Sequence, residues 1–344
     1  MRSDKTTFFF ALFSFLFSGL SFFSLPSNSE SFVGAIIVYL AVFVAVLFLL
    51  KGLAFLKSRV RSERNSESIP FCILGIIACA FVFCFFTNSF SDFLPEISGE
   101  YTGSLFSFFF VIISLFLALY VGKRGLFSYG AVCLVTLPVL LAPTVFTCFN
   151  FLDFGGVKEF ENAGVSSVHF DLSLVPDAFL ACAGGCALVF LSDEKKKMSL
   201  SPAFFAFIIA VICEGVKYFL WFGTKNLPLI SRPDRVMLAQ VPYVNVQELF
   251  IFSYYLSYMT KISLIALTAR KFAERLTSRL STFWQYFLCA FLFFALYLFG
   301  PKESAKTLAV FSFCALYLLF VAEYLSKIIK CGKITDRHSE KSNI

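Results

Sequence analysis

The sequence predicts an all-α integral membrane protein with ten transmembrane helices. Hydrophobic residues make up 58% of the 344 residues and charged residues only 15%, whereas a soluble domain carries about 25% charged residues. The apolar residues are gathered into long runs, and a helix of roughly 20 such residues crosses the ~30 Å hydrocarbon layer of a bilayer. The segments between the runs alternate between rich and poor in Lys and Arg. These observations exclude an ordinary water-soluble enzyme.

The apolar runs are the predicted transmembrane spans. The first run follows Arg2 and Lys5 like a signal peptide, but it exceeds the usual ~7–15 residues and no A-x-A site follows it, so we expect a retained span. The segments between runs are too short for a soluble domain, so residues 1–344 are predicted to form a single transmembrane domain. In chain order, the ten spans cover residues 7–26, 32–56, 69–87, 103–122, 126–149, 174–191, 203–222, 248–269, 282–299 and 305–326.

The basic residues predict the orientation. Of the 29 Lys and Arg, 21 lie in one set of alternating segments or at the adjoining span ends and six in the other set, while Lys217 and Lys261 lie deep inside spans. Because Lys and Arg accumulate on the cytoplasmic side, the richer set is predicted to be cytoplasmic. Both termini belong to that set, including the tail 327–344. An odd number of spans would break this alternation.

Two glycine-containing motifs predict interrupted helices. Ten spans divide into a first repeat (about 7–149) and a second repeat (about 174–326), and transporters built from inverted repeats bind ligands at breaks in corresponding spans. Spans 1 and 6 correspond, so half-helix ends there would bind a ligand carboxylate. Small residues also let membrane helices pack closely, which is the alternative. The candidate ligand-binding residues are Ser18, Gly19, Ser21, Ala183, Gly184, Gly185 and Cys186.

Charged residues inside the predicted spans are the second set of candidates. Glu214 and Lys217 lie three residues apart in span 7, hence on one helix face, where they would form a structural ion pair or take part in gating. Lys261 lies near the middle of span 8, nine residues or ~13 Å from Arg270. Because a lysine stem cannot comfortably cover that distance, its ammonium is predicted to face the bundle interior. Glu323 near the end of span 10 is predicted to have a structural role.

Three segments of the sequence carry a resemblance to a known family. They are Phe8-Phe9-Phe10 through Ser18-Gly19-Leu20 to Leu25-Pro26, Tyr120-Val121-Gly122-Lys123-Arg124-Gly125-Leu126 followed by Pro138, and Glu248-Leu249-Phe250 through Lys261-Ile262-Ser263-Leu264. These segments resemble the permease-like B subunits of spore germinant receptors, an endospore germination permease family in the amino acid–polyamine–organocation superfamily, and the resemblance extends along nearly the whole chain. One position departs from the family, because Cys186 stands where relatives often have an acidic residue.

The resemblance implies a five-plus-five inverted-repeat (LeuT-like) transporter fold with helices 1 and 6 broken. It implies a nutrient-sensing subunit in the inner membrane of a bacterial spore that binds an amino acid or similar small nutrient and works with A and C subunits. In this superfamily span 8 lies beside the broken span 1, so Lys261 would supply a fixed cation there; a structural pair with Glu214 is the alternative. A secondary amino-acid transporter coupled to protons or sodium, or a scaffold subunit with a decayed site, is also open.

No enzyme motif is present. The chain has no P-loop, no HExxH and no GxSxG sequence, and its cysteines and two histidines show no zinc spacing. We therefore expect no catalytic residues, no metal and no cofactor. The net charge of +7 comes from short clusters between spans rather than from a basic polar domain, so the predicted partners are the lipid bilayer, the ligand and other subunits, and not nucleic acid.

Overall fold

A computed structural model describes a membrane protein that is helical throughout the ranges it covers, with no strand among them. The described residues are 32–59, 68–98, 104–123, 126–153, 172–180, 204–205, 208–213, 244–276, 281–300 and 304–342. The main helices are α1 (Phe32–Arg59), α2 (Ile69–Ser98), α3 (Ser104–Lys123), α4 (Leu126–Asp153), α5 (Val244–Leu276), α6 (Thr282–Phe299) and α7 (Ala305–Ser342). A 3₁₀ turn, Leu172–Leu174, leads into a short helix at 175–180.

Three of these helices contain a segment long and apolar enough to cross a bilayer. The segments are Ile69–Phe90 in α2, Ser128–Phe146 in α4 and Ala305–Ile329 in α7. In hydrocarbon every backbone N–H and C=O must be satisfied within the segment, which is why such runs fold as helices. The all-α membrane class predicted from composition is confirmed, whereas the number of spans and their orientation stay predictions.

Helix α5 lies at the centre of the described bundle. It packs against α2, α3, α4 and α6, and ten consecutive residues, 260–269, are buried. A helix covered on every face needs no lipid-facing apolar stripe. This explains why α5 can carry many hydroxyl groups and is not among the three apolar spanning segments.

Helices α2 and α5 run antiparallel. Phe71 near the start of α2 makes an edge contact with Phe272 near the end of α5, with ring centroids 5.6 Å apart. Phe90, further along α2, stacks on Tyr258, nearer the start of α5, at 4.4 Å. These two contacts define the register of the antiparallel α2–α5 pair.

Helices α2 and α6 run parallel. Phe83 of α2 stacks on Phe293 of α6 with centroids 4.9 Å apart. Cys79 and Cys289 each lie four residues before one of these rings, both are buried, and the two thiols are close enough to interact electrostatically, so the order of the two pairs makes the helices parallel. The two cysteines therefore occupy equivalent positions one helical turn from the stack, on facing helices.

Two polar anchors hold the ends of the apolar part of α7. At its start, Lys306 Nζ donates to Asp177 Oδ2 at 2.6 Å. Near its other end, Glu323 accepts hydrogen bonds from the backbone N–H of Ser68 (2.9 Å), from the Ser68 hydroxyl (2.7 Å) and from Lys327 Nζ (2.8 Å). Lys306 and Glu323 are 17 residues apart, about 26 Å of helix rise, close to the ~30 Å hydrocarbon thickness.

The Glu323 anchor also fixes the start of α2. Ser68 is the N-cap residue, because its carbonyl accepts the first helical bond from the Cys72 N–H at 3.1 Å. A carboxylate at a helix N-terminus satisfies backbone donors and opposes the positive end of the helix dipole. Arg275, at the end of α5, lies close to Tyr324 and Glu323 of α7. Burial lowers the pKa of its guanidinium, whereas the charge interactions with Tyr324 and Glu323 raise that pKa. The contacts of Glu323 agree with the structural role predicted for it.

Candidate functional site

Only one of the predicted site residues lies in the described part of the chain. Lys261 lies in α5. The predicted breaks, and the proposed partner of Lys261 in span 7, lie outside the described residues. The residues concerned are Ser18, Gly19, Ser21, Ala183, Gly184, Gly185, Cys186 and Glu214.

Lys261 is completely buried, with 0% of its surface exposed. Its Nζ lies 4.9 Å from the centroid of the Phe86 ring on α2. An ammonium over an aromatic face is attracted by the ring quadrupole, and the attraction grows when water is excluded. The ammonium therefore lies in the interior of the bundle, against Phe86, and not at a membrane interface. The distance along the helix from Lys261 to Arg270 predicts the same interior position.

The ammonium lies toward one end of the bundle. Lys261 itself is near the middle of α5, 17 residues from Val244 and 15 from Leu276. Side chains on a helix tilt toward its N-terminus, so the stem of Lys261 directs Nζ toward the Val244 end. Phe86, which receives it, is 17 residues or about 26 Å from Ile69 and 12 residues or about 18 Å from Ser98, with Phe90 on the Ser98 side of it. The charge is therefore nearer the Phe90 end of α2 than the Ile69 end.

Several hydroxyl-bearing residues lie close to Lys261 along α5. Ser253, Ser257 and Lys261 recur every four residues and so share one helix face, and all three are buried. The Thr260 hydroxyl donates to the Ser257 carbonyl at 2.8 Å. The Tyr129 hydroxyl of α4 donates to the Thr260 carbonyl at 3.0 Å. Residues from two helices thus supply polar groups at the level of the lysine.

A tyrosine one turn before Lys261 is fixed by α2. The Tyr258 and Thr87 hydroxyl oxygens are 3.0 Å apart and hydrogen-bonded. The Tyr258 ring lies 4.4 Å from the Phe90 ring at an interplanar angle of 7°, and Tyr258 and Thr87 are completely buried. Thr87, Phe90, Tyr129 and Tyr258 are not among the residues predicted from the sequence. A hydroxyl-bearing aromatic three residues from a buried lysine was the only signal for Tyr258.

The described part of this site offers one buried ammonium and several hydroxyl-bearing side chains. An ammonium with nearby hydroxyls complements a carboxylate or another anionic oxygen group. Among the described residues, no group of three or more His, Cys, Asp or Glu side chains is arranged to hold a metal ion. The Glu323 anchor lies at the Ile69 end of α2, remote from Lys261, and contributes to helix packing instead.

Comparison with known proteins provides no family for this chain. No protein-family model matches it, and no curated protein sequence matches it.

Proposed function

We propose that the chain is the nutrient-sensing, permease-like subunit of a spore germinant receptor, with an amino acid or similar small carboxylate as its ligand. The observation that carries the proposal is Lys261, an ammonium buried at 0% exposure inside a helical membrane bundle. An intramembrane charge costs at least ~2.5–3.5 kcal/mol and usually marks a ligand or ion pathway. The resemblance of the segments around spans 1, 4–5 and 8 to this receptor family supports the sensing role.

The proposed fold is the ten-span, five-plus-five inverted repeat with both termini cytoplasmic. Seven of the ten predicted runs overlap helices α1–α7, which supports the division into spans. Ligand would bind near mid-depth between the breaks at Gly19 and at Gly184-Gly185. The chain would lie in the inner membrane of the spore and act with A and C subunits.

Lys261 is proposed to act as a fixed cation. Sodium-coupled members of the superfamily hold an ion beside span 1. At the same position in this chain, the Lys261 ammonium would bind span-1 carbonyl groups permanently. Ligand binding would then change the packing of span 1 against α5 without needing a bound ion. The enclosure of α5 by four helices supports this, because a rigid central helix holds the charge in one place.

The alternative function is a secondary amino-acid carrier coupled to protons or sodium. A buried cation and a polar helix face serve a carrier as well as a sensor, because function depends on the site and not on the fold. The two functions differ in whether the ligand crosses the membrane.

The test combines spores with proteoliposomes. A strain lacking the gene is complemented with the wild-type chain, with Lys261→Met, or with Lys51→Met, in which the lysine lost is an exposed one on α1. We expect amino-acid-triggered germination with the wild type and Lys51→Met and none with Lys261→Met, at equal membrane abundance. Proteoliposomes holding the wild type should not accumulate labelled amino acids.

Two outcomes would contradict the proposal. Accumulation of amino acids in proteoliposomes, abolished by Lys261→Met, would make the protein a carrier. Normal germination of the strain lacking the gene, with every amino acid tested, would remove the sensing function.

A further inference from the structure

Three residues of α2 face the part of α5 that holds Lys261. Phe86, Thr87 and Phe90 occupy positions i, i+1 and i+4 of α2, which place them on one side of the helix. Phe86 lies under the Lys261 ammonium. Thr87 and Phe90 both contact Tyr258, which precedes Lys261 by three residues. The lysine and the tyrosine are thus held by a single patch of α2.

The Phe90–Tyr258 pair covers the lysine on one side. Tyr258 lies about 4.5 Å nearer the Val244 end of α5 than Lys261 does, and Phe90 lies about 6 Å further along α2 than Phe86. In an antiparallel pair of helices these two directions are the same. The stacked rings therefore lie between the ammonium and the Phe90 end of the bundle, which the charge pattern predicts to be external.

A polar helix face continues past the Phe90–Tyr258 pair. Ser253 and Ser257 extend the Lys261 face of α5 toward the Val244 end, and both are buried. Buried hydroxyls inside a membrane bundle are costly unless they have partners or line a pathway for polar solutes. The hydroxyl face leads toward the ammonium. The Phe90 and Tyr258 rings cover the ammonium on that side and are themselves buried, with 1% exposure for Phe90 and 0% for Tyr258.

We propose that the Phe90–Tyr258 pair is a gate on the external approach to Lys261, held shut by the Thr87–Tyr258 hydrogen bond. Opening requires Tyr258 to leave both Thr87 and the Phe90 ring, which exposes the Ser253–Ser257 face and the ammonium to a small polar solute. The structure described here is the closed form on that side. The gate regulates the site of the proposed function, but its opening is measurable without any ligand.

The Lys261 amine itself can report the opening. Wild-type protein in sealed vesicles is treated on one face with sulfo-N-hydroxysuccinimide acetate, a membrane-impermeant amine reagent, and acetylation at each lysine is read by peptide mass spectrometry. Acetic anhydride, which crosses membranes, gives the intrinsic reactivity of each amine for normalisation. Lys306 is the internal reference, because 37% of its side chain is exposed.

Two conservative variants remove only the hydrogen bond. Thr87→Val and Tyr258→Phe should each raise normalised acetylation of Lys261 from the Phe90 face about fivefold, the value of one hydrogen bond. The double variant should be no faster than either single variant, because both remove the same interaction. Tyr258→Leu also removes the stack and should raise the rate about 30-fold.

Phe83→Leu is the matched control. It removes an α2 ring that is stacked in the same way as Phe90, in this case on Phe293 of α6 at 4.9 Å. The Phe83–Phe293 pair does not cover Lys261. It should leave acetylation of Lys261 unchanged. An equal increase in this control would mean that the bundle loosens generally, and the gate would be refuted.

The remaining outcomes separate the gate from the proposed function. If Lys261 reacts no faster in any Thr87 or Tyr258 variant, or becomes reactive only from the opposite face, the Phe90–Tyr258 pair is not the barrier. If the variants react as expected while Lys261→Met spores germinate normally, the gate stands and the function assigned to the lysine falls.

Discussion

Gly75 of α2 packs directly against the Phe272 ring of α5 and leaves no space for a larger side chain. A Cβ added there would lie 2.5 Å from Cε2 of Phe272, 2.6 Å from its Cδ2 and 2.9 Å from its Cζ, whereas carbon atoms in contact are about 3.5–4.0 Å apart. The Phe272 ring would have to move by about 1 Å. It is 1% exposed and held by an edge contact with Phe71 at 5.6 Å, so it has little room to move.

Gly75→Ala should therefore destabilise the protein. Overpacking of a rigid core costs typically 1–3 kcal/mol, and the gain in helix propensity returns at most ~1 kcal/mol. We expect a net loss of about 1–2 kcal/mol in the free energy of unfolding. Gly52→Ala on α1 is the matched control, because nothing lies within 4 Å of its added Cβ. It should be neutral or stabilise by up to ~1 kcal/mol.

The assay is reversible denaturation in detergent micelles, with the midpoints of wild type and both variants compared. The double variant Gly75→Ala with Phe272→Leu tests the cause, because a smaller, more flexible side chain relieves the clash. The loss from Gly75→Ala should be smaller in the Phe272→Leu background than in wild type. If Gly75→Ala behaves like Gly52→Ala, α2 and α5 do not pack in this register and the position of Lys261 relative to Phe86 is wrong.

Three further predictions follow from the anchors, the register and the charge pattern. Glu323→Gln should lower the free energy of unfolding by about 2 kcal/mol, because it weakens an N-cap, a dipole interaction and an ion pair; an unchanged denaturation midpoint would contradict this. Cys79 and Cys289 should cross-link with a short bis-maleimide in the otherwise cysteine-free protein, whereas Cys79→Ser should abolish the product; an antiparallel α2–α6 pair would yield none. Reporter cysteines replacing Asp92 and Lys196 should label from outside and from the cytoplasm respectively, and the reverse pattern would overturn the orientation.

Hydropathy predicted where the described helices lie. It predicted a helix end correctly only where the apolar run and the helix end at the same residue. The span at 282–299 coincides with α6, Thr282–Phe299. The spans predicted at 69–87 and 305–326 belong to helices that continue to Ser98 and Ser342. A helix satisfies its own backbone in water as well as in lipid, so it can extend past the apolar run without any change that hydropathy detects.

The environment of the candidate site could be predicted only where it depends on distance along one helix. The interior position of Lys261 follows from the nine residues that separate it from Arg270. The contacts with Phe86 and the Thr87–Tyr258 bond depend on how α2 and α5 are rotated against each other, and no single sequence specifies that rotation. Glu323 shows the same limit, since a structural role was expected but its partner Ser68, 255 residues away, was not.

The fixed-cation function proposed for Lys261 is tested by a double variant with Glu214. Membrane abundance and nutrient-triggered response are measured for Lys261→Met alone and for Lys261→Met combined with Glu214→Gln. If the lysine is a fixed cation, both proteins should reach normal abundance and neither should respond. If the lysine only neutralises Glu214, the single variant should lose abundance, because it leaves a buried carboxylate without its counter-charge. Recovery of both abundance and response in the double variant would then contradict the fixed-cation account.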